Sequence, residues 1–167
     1  ISQLQDLLWF LFHYLGLETT LPSDVFGATL VNMSVDMLFS HDLLPLICWM
    51  AIAFLLGKFF YKSNTIGLVW VALIFGHFVL DFFSGHPHHI FWGETHAVGL
   101  GLYASNIYLA IAIESIFIIG TLWYFFTEEA KKWVQRTVNS KLAIIGLFIY
   151  GVSFMLFIAT TSFREWF

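Results

Sequence analysis

Long apolar runs separated by short polar breaks organise the chain. The first run, 4–17, is strongly apolar but shorter than the roughly 20 residues a membrane-crossing helix needs, and Asp6 and His13 interrupt it two turns apart on one face. The stretch from Glu18 to Asp24 breaks the pattern, with Pro22 before a Ser23/Asp24 helix-start signal. Residues 25–39 are only mildly apolar and carry Asn32, Ser34 and Asp36, which predicts an interfacial or re-entrant segment folded over the bundle. Runs at 42–60, 66–83, 106–126 and 142–162 are each long enough to cross a bilayer. A histidine- and glycine-containing loop joins the second of these to the third. A charged connector, 127–141, with a short surface helix expected around Trp133, joins the third to the fourth. The pattern predicts an all-α, polytopic transmembrane helical bundle of about four to five spans, forming a single domain over 1–167.

Composition agrees. Apolar residues make up 59% of the chain and charged residues 11%, where a soluble domain carries about a quarter. The formal charge of -4 implies no strongly charged partner, and no basic stripe suits nucleic acid. The single Cys48 excludes an intrachain disulfide and a multi-cysteine metal site, and reads as a packing residue. No cleavable signal peptide is visible, and a chain opening on Ile1 rather than Met leaves room for residues upstream.

Charge also sets the expected orientation. Lys58, Lys62, Lys131, Lys132, Arg136 and Lys141 fall on one side of this layout and Arg164 on the other. The positive-inside rule makes the lysine-rich side cytoplasmic and the histidine-rich loop non-cytoplasmic.

Ionisable groups within a membrane helix are costly and are paired, solvated or functional. His77 and Asp81 stand four apart, one turn from each other on one face. Counting about 1.5 Å per residue from the outer end puts His77 roughly 9 Å deep and Glu114 roughly 12 Å deep. His41 opens its own span on the same side, below a loop holding His86, His88, His89 and His96, with Asp36 and Asp42 in the same layer. Zinc takes three or four ligands from imidazole and carboxylate, and it activates water for attack on a carbonyl or phosphoryl centre. The expected ligands are therefore His41, His77, Asp81 and one loop histidine, His86 or His88, with Glu114 or Asp81 moving protons.

Plainer roles compete with these. His77 and Asp81 could satisfy each other in a packed bundle, Glu114 could be a protonated acid hydrogen-bonded between helices, and Asp6 could be a capping or inter-helix partner. For His89 and His96, solvated surface positions are the expectation. Trp49, Trp70, Trp92, Trp123 and Trp133 suit lipid contact and interfacial anchoring rather than a cofactor box.

The order of motifs resembles a group of bacterial integral membrane proteins described as predicted membrane-bound metal-dependent hydrolases. The matching stretches are Leu4-Gln5-Asp6-Leu7-Leu8-Trp9, Ser40-His41-Asp42-Leu43, Gly76-His77-Phe78-Val79-Leu80-Asp81, Gly85-His86-Pro87-His88-His89, Gly99-Leu100-Gly101-Leu102-Tyr103 and Ile113-Glu114. The chain departs from that pattern at Asp42, Gly76 and Tyr103, and in a longer turn after Asp81. The resemblance implies conserved polar positions at Asp6, His41, His77, Asp81 and Glu114, and location in the bacterial inner membrane.

The leading expectation is a membrane-embedded hydrolase that depends on a divalent metal, zinc first, and acts on a lipid or lipid-linked substrate. The alternative is a non-catalytic accessory subunit of a larger membrane complex, since small size and aromatic helix faces suit packing against other subunits. A proton or cation path through Asp6, His13, His77 and Glu114, and haem ligation by His41 and His77, rank lower.

Overall fold

A computed structural model describes residues 1–90, 97–131 and 136–166. Among them four helices are long and apolar enough to cross a membrane, so this is an integral membrane protein with an all-α bundle. The crossing helices are α2 (Leu43–Tyr61), α3 (Asn64–Ser84), α5 (Ile107–Lys131) and α6 (Val138–Ile158). The first apolar run becomes α1 (Leu4–Tyr14). At about 1.5 Å per residue its 11 residues reach roughly halfway across the hydrocarbon layer.

Residues 25–39 form no membrane helix. Thr19–Leu21 (β1) pairs antiparallel with Ser34–Asp36 (β2), and between them lie one 3-10 turn, Val25–Gly27, and irregular chain. Asn32 and Thr29 bond each other's amides, a local turn that competes with helix. Leu30 and Val31 donate their amides to the carbonyls of Ile158 and Ala159, fastening this cap to the end of α6.

Helices α2 and α3 form a tight hairpin. Lys62 caps α2 in the left-handed conformation, and the Ser63 hydroxyl accepts the Ile66 amide to start α3. Gly57 and Gly67 let the two backbones touch: a Cβ on Gly57 would lie 2.7 Å from the Gly67 Cα. Leu46, Ala53, Ile74 and Phe78 fill the seam, and Ile107, Ile111 and Ala159 form a second cluster between α5 and the end of α6.

The polar ends are longer than the apolar runs suggested. Helix α5 continues through Glu128 and Glu129 to Lys131, and α6 begins at Val138 with Thr137 accepting the Ser140 amide as its cap. An apolar run marks where a helix leaves lipid, not where its backbone bonds end. Beyond α3, His88–His89 (β3) pairs with Ala97–Val98 (β4), and the short α4 (Leu102–Ser105) follows. Trp92, Trp133 and His96 lie outside the described residues.

Candidate metal centre

Chain direction brings the polar groups to one end of the bundle. Helix α2 starts there, α3 finishes there, and α5 starts there, so His41, His77, Asp81 and Glu114 share a layer. With α1, the cap, the 85–88 loop and the end of α6, they enclose a cavity of about 500 Å³.

At its floor two imidazoles meet two carboxylates. His77 Nε2 lies 3.2 Å from Asp81 Oδ2 and 3.5 Å from Asp6 Oδ1. His41 Nε2 lies 3.5 Å from Asp6 Oδ1 and 3.7 Å from Asp81 Oδ2. The donor atoms of Asp6, His41 and His77 all fall within 4.8 Å of one another. Ligands about 2.0–2.2 Å from a tetrahedral centre are separated by about 3.3–3.6 Å along each edge. The separations of Asp6 Oδ1 from the two imidazoles, both 3.5 Å, match that edge length, so Asp6, His41 and His77 together fit one small divalent ion, with Asp81 set against His77 outside that group.

Each donor comes from a different local cause. Asp6 lies in the first turn of α1, whose N-terminal dipole favours an acid. The i, i+4 spacing of α3 aligns His77 and Asp81. His41 precedes α2 and is held by its neighbour: its Nδ1 lies 2.8 Å from the Ser40 hydroxyl. Ser40 donates that hydroxyl to Glu18 Oε2 at 2.9 Å, while Glu18 Oε1 accepts the Phe39 and Ser40 amides at 2.6 and 2.7 Å. Burial pushes the Glu18 carboxyl up from its ordinary range, and these three donors offset that only in part.

His86 and His88 line the same cavity outside this cluster. His88 is buried and stacks on His41 with ring centroids 5.9 Å apart, and among the described residues its two ring nitrogens have no hydrogen-bond partner. Burial holds its pKa down at about 4 and lowers that of His86 too. Glu114 accepts a 2.5 Å hydrogen bond from the Tyr103 hydroxyl, and the Tyr103 ring meets His86 edge to face. Burial, then the neighbouring Glu114, pushes the Tyr103 phenol up.

Other expected participants lie elsewhere. Asp42 accepts the His89 amide at 2.7 Å and ties the β3 strand to the start of α2. Burial pushes its carboxyl up. His13 contacts the Ser23 carbonyl at 3.1 Å, and Asp36 is exposed at the end of β2. The residue reading of Asp6 as a cap or helix partner did not foresee its place between both histidines. Its signal was an acid inside an apolar run. The serine beside His41 was visible too, but Glu18, in a polar break, carried none.

No family model matches the chain, and no curated protein or solved structure matches it significantly.

Proposed function

We propose that the protein is a membrane-embedded hydrolase that depends on a divalent metal, zinc by preference, and acts on a lipid or lipid-linked substrate from the non-cytoplasmic side of the bacterial inner membrane. One observation carries this: Asp6 Oδ1 lies 3.5 Å from Nε2 of both His41 and His77 inside a cavity, with Asp81 3.2 Å from His77. Imidazole and carboxylate together suit zinc and its first-row neighbours better than calcium or magnesium, which prefer all-oxygen shells.

Asp6, His41 and His77 would hold the metal, with Asp81 within hydrogen-bonding distance of His77; three protein ligands leave a position for the water that a bound metal would activate. Glu114, hydrogen-bonded to Tyr103 in the same cavity, would pass a proton to the leaving group. Besides the polar cluster, the cavity is lined by the apolar Leu30, Met33, Phe154, Met155 and Ile158. A substrate with one polar and one apolar end matches that division.

The test is metal analysis of detergent-purified protein together with hydrolysis of a lipid panel. One zinc ion per wild-type chain, lost in Asp6→Asn and His77→Ala, with hydrolysis abolished by chelation and restored by zinc, is expected. Wild-type protein that takes up no stoichiometric zinc, iron or manganese, or His77→Ala protein that keeps full metal, overturns it.

A further inference from the structure

Among the described residues, Glu18 and Ser40 make no hydrogen bond or ion pair with Asp6, His77 or Asp81, yet their hydrogen bonds determine what His41 can do. Glu18 Oε1 accepts two backbone amides, from Phe39 and Ser40, and Oε2 accepts the Ser40 hydroxyl. An ionised carboxylate is an acceptor only, and a hydroxyl has one proton to give. The Ser40 proton is thereby committed to Glu18. The 2.8 Å contact between Ser40 Oγ and His41 Nδ1 then has a single consistent direction: Nδ1–H donates and Oγ accepts.

In the neutral ring this leaves Nε2 without a proton, and Nε2 is the atom facing Asp6 and Asp81. We infer that Glu18 is a positioning residue which, through the Ser40 hydroxyl, holds His41 in the tautomer whose bare Nε2 can bind a cation. The ligand role of His41 rests on the reading above; the wiring of the tautomer does not.

The geometry makes an unusual demand on one substitution. In Glu18→Gln the amide oxygen must remain toward the Phe39 and Ser40 N–H groups, because an NH₂ there would meet two donors. The new NH₂ therefore points at Ser40 Oγ and donates to it. The Ser40 proton is released to turn toward His41 Nδ1, which becomes the acceptor, and the imidazole proton moves to Nε2. The chain of bonds survives, but its direction is reversed, and a proton occupies the metal-facing atom. Ser40→Ala acts differently: it cuts the link and leaves His41 free to take either tautomer.

The experiment measures both ends of this relay in full-length protein in detergent. In metal-free protein labelled with ¹⁵N-histidine, at a pH that keeps the ring neutral, nitrogen shifts report which atom of His41 carries the proton. Wild type is expected to carry it on Nδ1, Glu18→Gln on Nε2, and Ser40→Ala on a mixture. Zinc affinity, read by competition with a chromophoric chelator, is expected to fall roughly 10–100-fold in Glu18→Gln and less in Ser40→Ala. The Glu18→Gln/Ser40→Ala double variant should bind zinc as Ser40→Ala does, better than Glu18→Gln alone.

A merely structural role for Glu18 predicts additive losses in the double variant and no tautomer change; either result overturns the inference. Tautomers that switch as stated in a wild type that binds no zinc support the relay and remove the metal reading instead.

Discussion

The Gly67→Ala substitution tests whether the α2–α3 hairpin depends on backbone contact. A Cβ at Gly67 would lie 2.8 Å from the Phe54 carbonyl oxygen and 2.9 Å from Phe54 Cδ2, and ordinary contact begins at 3.4 Å. The gap of about 0.6 Å cannot be closed by a side-chain rotation, because the first obstacle is backbone and the reciprocal position, Gly57, meets Gly67 backbone in turn. The helices must separate along a seam that holds Leu46, Ala53, Ile74 and Phe78. Overpacking of this kind costs about 1–3 kcal/mol. Gly76 on the same helix is the control, since a Cβ there meets nothing within 4 Å. Gly76→Ala should be neutral or stabilising by up to about 1 kcal/mol through backbone entropy. Reversible unfolding in mixed detergent and SDS measures both. Equal stabilities for the two variants would refute the contact as a determinant of the fold.

Three further outcomes follow from the polar layer and its surroundings. His88 binds its proton only near pH 4 in the folded state against 6.5 in the unfolded one, so the unfolded chain holds more protons between those values. Stability should fall as pH drops through that window, by at most ~3 kcal/mol, and His88→Phe should flatten the slope in acid-dependent unfolding. Tyr103→Phe removes the donor to Glu114; it should leave zinc content unchanged, slow lipid hydrolysis, and cost about 1–3 kcal/mol in the same unfolding assay. Arg164→Ala breaks the 2.8 Å pair with Asp24, but the arginine is 73% exposed, so a stability change below about 1 kcal/mol is expected.

The bundle was readable because lipid imposes a simple code: apolar runs of sufficient length at 42–60, 66–83, 106–126 and 142–162 each contain the core of an observed crossing helix. His77 and Asp81 were readable for a related reason, since ionisable groups in such a run stand out and helical spacing aligns them. Asp6 was not assigned to this cluster from spacing, because α1 meets α3 only through tertiary packing and no local periodicity relates residue 6 to residue 77. The polar interruptions at 25–39 predict a segment folded over the bundle, and it forms one, built from a strand, a 3-10 turn and irregular chain. Its moderate hydropathy serves a cap over the cavity, and its backbone needs are met by Thr29, Asn32 and the end of α6 rather than by a helix. Glu18 was the hardest of all: a carboxylate in a polar break is unremarkable until its three hydrogen bonds exist.

Helix α6 buries no residue along its most apolar stretch, yet its last carbonyls are gripped by Leu30 and Val31. A helix fastened at its tip and only partly covered by α5 along its length has room to change its tilt when the bilayer thickness changes. Phe154, Met155 and Ile158 near that tip also line the cavity, so a change of tilt would move these side chains relative to the two imidazoles and two carboxylates, which are seated on other elements.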